Sequence, residues 1–163
     1  MTTRAGGPEA LQDGVTVLAE ASRCVMPCDQ YDETVAVINS NEDTVEMLRY
    51  ALQGSGFSSV VTGHVHDFKS GSADFAEYLE AHDPDAIVFD VSIPYDKNWT
   101  FLRQLLDLEQ MRGRKLVVTT TNKRRLDEIV GPTDTFEIVG KPYDINLIVE
   151  AVKTALKSRE RSG

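Results

Sequence analysis

The sequence contains little of several features that would point to particular classes of protein. It has two cysteines in 163 residues, Cys24 and Cys28, and two thiols do not make a disulfide framework or a zinc site. It has no apolar run near the roughly 20 residues that a membrane-spanning helix needs. Its opening residues also lack the charged-then-apolar pattern of a secretion signal. We therefore expect a cytoplasmic protein without a membrane anchor.

Positive charge is also in deficit, because the formal net charge is −9. A chain with this balance repels phosphate backbones and anionic lipid, so we expect neither nucleic acid nor a membrane surface as a partner. The content of 41% hydrophobic and 26% charged residues is ordinary for a globular domain. A chain of this length is expected to form one domain with a substantial core.

The pattern of the chain predicts three segments. Residues 1–32 hold glycine, proline and mixed periodicity, which favours a flexible N-terminal extension. Residues 33–158 alternate between short apolar runs and stretches of helical periodicity. Residues 159–163 read as a solvated tail.

The alternating segment predicts five strands, each followed by a helix. The apolar runs begin near Val35, Val60, Ala86, Leu116 and Phe136. Strands that are apolar without alternation are buried on both faces, as in a parallel sheet covered by helices. Right-handed crossovers then give an α/β fold, a three-layer, doubly wound (βα)5 sandwich of flavodoxin-like type.

Polar residues follow the predicted strands at the edge where ligands bind in such sheets. Asn39 and Ser40 follow the first strand, Asp90 follows the third, Thr120 lies at the end of the fourth, and Lys141 follows the fifth. The sequence therefore predicts a crevice that contains a carboxylate, a hydroxyl and an ammonium group. A carboxylate in this setting can act as a nucleophile toward a phosphoryl group.

These residues and their motifs resemble the receiver domain of response regulators in two-component signalling. "DAIVFDVSIP" is similar to the strand that carries the phosphoacceptor aspartate, here Asp90. "LVVTTTNK" is similar to the strand of the switch hydroxyl, here Thr120, and "IVGKPYD" to the Lys-Pro element, here Lys141. Thr120 lies 30 residues and Lys141 lies 51 residues after Asp90, which suits the family. The resemblance implies that Lys141 faces the phosphoryl group.

The chain also departs from the family. Receivers usually end the first strand with two acids that bind Mg²⁺, and Asn39 and Ser40 stand at those places. Because an amide and a hydroxyl bring no charge to a hard cation, we expect no metal site, or at most weak Mg²⁺ binding. Ser40 and Asp43 resemble a capping box, which is the alternative role for Ser40. Ile138 stands at the position of the family's aromatic switch residue.

Two further groups of residues have ordinary interpretations as well as functional ones. His64 and His66 would share a face of an extended segment, but a metal site needs a third ligand, and we expect none there. The basic run, residues 122–126, is either a solvated face or a docking patch. In receivers the fourth helix, fifth strand and fifth helix commonly contact partners, which makes this face the expected contact surface.

The resemblance implies a stand-alone signalling module that works by binding another protein, and not an enzyme. Two versions remain open: a phosphorylation-independent receiver in which Asp90 and Lys141 form a fixed ion pair, or a receiver that accepts a phosphoryl group from a histidine kinase. A small-ligand binder or enzyme on a flavodoxin-like sheet is the alternative class. Against it, the turn "NSNEDT" after the first strand has no glycine to cradle a phosphate.

Overall fold

The computed structural model describes residues 29–133, 135–140 and 144–160, with side chains described to residue 158. Most of the predicted N-terminal extension, residues 1–28, lies outside the described residues, as do residues 161–163 of the predicted tail. The sheet begins at Tyr31, so the last two residues of the predicted extension belong to the first strand. The last helix includes the first two residues of the predicted tail.

The described residues contain five strands that form one parallel sheet in the order β2-β1-β3-β4-β5. This confirms the predicted doubly wound (βα)5 fold. The strands are β1 (Tyr31–Asn39), β2 (Phe57–His64), β3 (Ala86–Val91), β4 (Lys115–Thr120) and β5 (Glu137–Gly140).

Helices cover both faces of this sheet, as crossover connections between parallel strands require. They are α1 (Glu42–Gly54), α2 (Val65–Ser70), α3 (Phe75–His82), α4 (Tyr95–Leu106), α5 (Lys123–Val130) and α6 (Ile145–Glu160), with a 3₁₀ turn at Glu109–Met111. None of the helices in the described ranges is long and apolar enough to cross a bilayer.

The core divides into two layers because successive side chains of a strand point to opposite faces. One layer packs α3, α4 and α5 against the sheet, and it contains Phe89 and Leu126, which are 1% and 0% exposed. The other layer packs α1 and α6 against the opposite face, and it contains Val88 and Val117. All six residues of β3 are buried, which explains the uninterrupted apolar run in the sequence.

The region of β2 differs most from the predicted pattern. The strand runs over eight residues, although only Val60 and Val61 stood out as apolar, because it pairs with β1 along nearly its whole length. The link from β2 to the predicted second helix, which is α3, contains a further short helix, α2, whose Phe68 packs in the core. The predicted fourth and fifth helices are therefore α5 and α6.

The start of α1 corrects the predicted capping box. Asn41 is the N-cap, and its side-chain oxygen accepts a hydrogen bond from the Thr44 backbone N–H at 3.0 Å. The predicted cap, Ser40, lies one residue too early and instead directs its hydroxyl to Asp90. Asn and Ser are about equally good N-caps, so the sequence "NSNEDT" could not decide between them.

Candidate functional site

Asp90 lies near the end of β3 and is 2% exposed. It is paired across the sheet with Thr119 of β4, whose hydroxyl donates a hydrogen bond of 3.0 Å to Asp90 Oδ1. The Ser40 hydroxyl donates a longer bond of 3.5 Å to Oδ2. Burial of a carboxylate is costly unless hydrogen bonds offset it, and these two hydroxyls supply such bonds. We call the space above Asp90, between Ser40 and Thr119, the Asp90 crevice.

The first strand contributes neutral groups to the Asp90 crevice. Asn39 is 1% exposed, and its side-chain oxygen accepts a hydrogen bond of 2.9 Å from the Asn41 backbone N–H. The Asn39 amide therefore shapes the turn into α1. The Asn39 amide and the Ser40 hydroxyl carry no formal charge. Of the three side chains that could offer oxygen atoms to a cation here, Asn39, Ser40 and Asp90, only Asp90 is an acid. Mg²⁺ sites in proteins usually combine carboxylate oxygens with water.

The two other predicted crevice residues have different outcomes. Thr120 is fully buried, and its hydroxyl accepts a hydrogen bond of 3.3 Å from the Asn122 backbone N–H, where the chain turns into α5. Lys141 lies outside the described residues. The role of Thr120 as the switch hydroxyl and the role of Lys141 as the phosphate-facing lysine therefore stay predictions.

Thr119 is the residue that the sequence reasoning missed. It is fully buried and contacts Asp90 directly, whereas its neighbour Thr120 points to the other face of the sheet. The motif spacing alone favoured Thr120. Pairing Asp90 with the fourth strand residue by residue would have identified Thr119, because paired residues of parallel strands point to the same face.

A second pair of hydroxyls joins the loops that leave β3 and β4. The Tyr95 hydroxyl and Thr121 Oγ1 are 2.6 Å apart, and they connect the start of α4 to the chain just after β4. Behind the first loop, the buried Asn98 donates a hydrogen bond of 2.7 Å to the Ser92 carbonyl oxygen. Both loops that follow the Asp90 crevice are therefore held in place.

Asn98 also connects this loop to the additional helix α2. Lys69 Nζ donates a hydrogen bond of 2.5 Å to the side-chain oxygen of Asn98. The helix α2, which the predicted alternation of five strands and five helices did not include, is thus linked through Asn98 to the loop after Asp90.

Ile138, at the predicted switch position on β5, is 7% exposed and belongs to the core layer of α4 and α5. Its backbone carbonyl accepts a hydrogen bond of 2.8 Å from Lys123 Nζ at the start of α5. Gly140 allows this approach, since a Cβ atom there would lie 2.9 Å from the Lys123 Cβ. The Lys123 side chain therefore connects α5 to the last strand of the sheet.

The basic run contacts acids that largely neutralise its charge. Lys123 lies 3.7 Å from Asp127, Arg124 lies 3.6 Å from Glu128, and Arg125 lies 3.4 Å from Glu128. The pattern favours a solvated face that carries its own counter-charges over a patch that attracts an acidic partner by charge. Each exposed pair contributes little to stability.

The histidines do not form a metal site within the described residues. His64 is the last residue of β2 and precedes α2, while His66 lies on that helix. Among the described residues no group of three or more His, Cys, Asp and Glu could hold a metal ion.

Comparison with known proteins places this geometry in a structural class. No family model matches the chain, and no curated protein matches it. The solved structures that it resembles include a CheY-like response regulator receiver domain from Methylobacillus flagellatus, with a TM-score of 0.54, 19% identity, and coverage of 79% of this chain and 99% of that one. CheY4 of Vibrio cholerae gives a TM-score of 0.58 at 18% identity, over 77% of this chain and all of CheY4.

The anti-anti-sigma factor PhyR from Bartonella quintana aligns with more of this chain. The TM-score is 0.62 at 18% identity, over 92% of this chain but only 57% of PhyR. These likenesses establish the fold alone. The chain has the fold of a response regulator receiver domain, as the motifs around Asp90 predicted.

Proposed function

We propose that this chain is an atypical receiver-like module of phosphorelay signalling that acts in the cytoplasm through protein–protein contacts, and that Asp90 is not ordinarily phosphorylated. The observation that carries the proposal is the setting of Asp90. The motif resemblance puts this carboxylate at the phosphoacceptor position. The side chain is buried, and the neutral hydroxyls of Ser40, just after β1, and of Thr119, in β4, contact it.

The chemistry of phosphoryl transfer supports this choice between the two versions. An incoming phosphoryl group adds negative charge beside a carboxylate, and a divalent cation normally offsets that charge. Asn39 and Ser40 supply no carboxylate for such a cation, so we expect Mg²⁺ to bind weakly at most, and we propose no other cofactor.

The proposed contact surface is the face formed by α5, β5 and α6. Among the described strands β5 pairs with β4 alone, so it forms one edge of the sheet. Leu147, in the first turn of α6, is 58% exposed, and large apolar side chains at a surface often anchor a partner. A histidine kinase or another signalling protein is the kind of partner that this function implies.

Phosphorylation with a small phosphodonor tests the proposal. The protein is incubated with acetyl phosphate and Mg²⁺, and its intact mass is measured. We expect no phosphoryl adduct on the natural chain. The variant Asn39→Asp/Ser40→Asp restores two acids beside Asp90, and we expect it to gain an adduct that a further Asp90→Asn substitution removes.

The competing version, a conventional receiver, gives a different result. A stoichiometric adduct on the natural chain that is lost in Asp90→Asn would show that phosphorylation proceeds without the acid pair, and the proposal would be wrong. Thermal unfolding of each variant provides the control, because Asp90 is buried and its replacement must leave the protein folded. Copurification of a tightly bound nucleotide or flavin would instead favour the enzyme or ligand-binder class.

A further inference from the structure

A cavity of about 480 Å³ opens at the amino-terminal edge of the sheet, opposite the edge that carries the Asp90 crevice. Leu116, near the start of β4, and Phe136, just before β5, form its floor. The second half of α4 and the end of α5 form its sides. We call this space the amino-edge cavity. It contains none of the residues assigned to the proposed signalling site.

The walls of the amino-edge cavity combine apolar and polar side chains and include two aromatic rings. The Trp99 and Phe136 rings lie with their centroids 5.6 Å apart and their planes inclined by 46°. Leu106, Met111 and Val130 complete the apolar lining. Flat apolar walls favour a ligand with a planar hydrocarbon body, because rings stack or meet edge to face on such surfaces.

Two guanidinium groups lie at the rim of the cavity. Among the described residues, Arg103 and Arg114 line it together with one acid, Asp107. Arg114 is held in place by hydrogen bonds to the backbone carbonyl of Gln110 at 2.6 Å and to the Asp83 carboxylate at 2.9 Å. Arg103 is exposed and has neither a hydrogen bond nor an ion pair with any residue in the described part of the chain.

The whole chain, by contrast, has a formal charge of −9. General electrostatic attraction therefore favours cations over anions on this protein. An anion that binds at the amino-edge cavity must owe its preference to the local guanidinium groups. Guanidinium groups pair well with carboxylates, in geometries that can use two hydrogen bonds.

We propose that the amino-edge cavity binds a small organic carboxylate with a flat apolar body, which packs against the contacting rings of Trp99 and Phe136 while its carboxylate pairs with Arg103. The volume lies within the range of about 300–1,000 Å³ that is typical of small-molecule sites. The proposal goes beyond the signalling function and does not depend on it. It gives this receiver-like fold a ligand site that is separate from Asp90.

Nuclear magnetic resonance can test this proposal because Trp99 is the one tryptophan in the sequence. Its side-chain N–H therefore gives a single, assignable signal in a ¹H–¹⁵N spectrum. The protein is titrated with naphthalene-2-carboxylate and, in parallel, with the neutral analogue naphthalene-2-methanol. We expect a saturable shift of the Trp99 signal with a dissociation constant of about 1 mM or lower for the carboxylate, given the size of the ligand.

Two matched variants isolate the charged contact. Arg103→Gln is expected to weaken binding of the carboxylate by about threefold to fivefold, the effect of an exposed ion pair, and to leave the alcohol unchanged. Arg112→Gln is the control, because Arg112 is exposed nearby, pairs with Glu109 at 4.0 Å and does not line the cavity. Val130→Phe fills the cavity and is expected to weaken binding of both compounds.

Three results would overturn the proposal. The first is a Trp99 signal that does not shift with the carboxylate up to about 10 mM, which is well above the constant expected for such a ligand. The second is equal affinity for the carboxylate and the alcohol. The third is an equal loss of affinity in Arg103→Gln and Arg112→Gln. The phosphodonor experiment on Asp90 is unaffected by each of these results, so the two proposals fail separately.

Discussion

The two edges of the same parallel sheet are packed in different ways. At the carboxyl-terminal edge, Asp90, Asn39 and Thr119 are polar and at most 2% exposed, and each forms hydrogen bonds. At the amino-terminal edge, aromatic and aliphatic side chains together with exposed polar ones line the amino-edge cavity of about 480 Å³. The described residues of the carboxyl edge are therefore fixed by specific polar contacts, while the amino edge surrounds a cavity.

The connections at each edge explain this difference. Short turns lead from the carboxyl ends of β1 and β4 into helices that Asn41 and Asn122 cap with their side chains. The link that enters β5 begins with Gly131 and Pro132 and has no regular structure in its described residues. A site built from tight turns can hold a buried carboxylate, whereas an irregular link leaves room for a ligand.

The largest expected effect is a difference in the free energy of unfolding between two Phe→Ala variants, one in the tight core and one at the amino-edge cavity. Phe89→Ala removes a ring that is 1% exposed in the tight core, and we expect a loss of about 4 kcal/mol in the free energy of unfolding. Phe136→Ala removes a half-buried ring that already faces empty space, so about half that loss is expected. Urea unfolding of both variants measures the difference. Equal losses would mean that the two edges are packed equally well.

A second comparison concerns hydroxyl groups. Thr119→Val removes the donor that contacts Asp90 Oδ1 within the core, and a loss of about 2 kcal/mol is expected because a buried carboxylate oxygen loses this hydrogen bond. Thr135→Val is the matched change at the amino-edge cavity, where the threonine is exposed. It should alter stability by less than about 0.5 kcal/mol. A small effect of Thr119→Val would contradict the proposed contact.

A third comparison, at the carboxyl edge, concerns the two residues that precede α1, Ser40 and Asn41. Asn41→Ala removes the side chain that accepts from the Thr44 N–H, so a loss of about 1 kcal/mol is expected. Ser40→Ala serves as the comparison, and its effect should be smaller because its bond to Asp90 is long, at 3.5 Å. Thermal unfolding measures both changes. A larger loss for Ser40→Ala would restore the capping box that the sequence suggested.

The smallest effect concerns Tyr78, a buried hydroxyl that differs from Thr119 in its surroundings. Its oxygen is buried and has no hydrogen-bond partner among the described residues. Burial also raises the pKa of Tyr78 above its ordinary value of 10.0. We expect Tyr78→Phe to be neutral or to stabilise the protein by up to about 1 kcal/mol near neutral pH, because the change removes an unsatisfied polar group.

The raised pKa of Tyr78 also predicts a dependence on pH. Burial disfavours the charged phenolate in the folded protein, whereas Tyr78 of the unfolded chain loses its proton near the ordinary pKa of 10.0. The free energy of unfolding is therefore unaffected by this group below about pH 10, and it falls as the pH rises from there toward the raised pKa of the folded state. Urea unfolding at about pH 9 and about pH 11 should show a larger fall in stability for the natural chain than for Tyr78→Phe. Tyr50→Phe, at a tyrosine that is 65% exposed, is the control.

The sequence predicted the fold because its apolar runs and helical stripes are local patterns. Strands β1, β3 and β4 contain continuous apolar runs, and such runs can be recognised in the sequence without knowing which strands pair. The position of Asp90 could be predicted for the same reason, since a carboxylate directly after a buried run lies at a strand end. The family likeness of the motifs then indicated the receiver fold.

The residues that were missed depend on register. Thr119 and Thr120 are adjacent and chemically identical, and only the pairing of β3 with β4 selects the one that contacts Asp90. Asn41 displaced Ser40 as the cap because the first turn of α1 starts one residue later than the pattern suggested. The local sequence therefore does not distinguish Thr119 from Thr120 as the contact of Asp90, or Asn41 from Ser40 as the helix cap.

By itself, the sequence determined the alternation of strands and helices, the burial of β3 and the neutral pair that replaces the usual acids, because each is a property of neighbouring residues. Tertiary structure alone decided which hydroxyl contacts Asp90 and that Trp99 faces the amino-edge cavity together with Phe136. These contacts join residues far apart in the chain, and their distances follow from how helices settle on a twisted sheet.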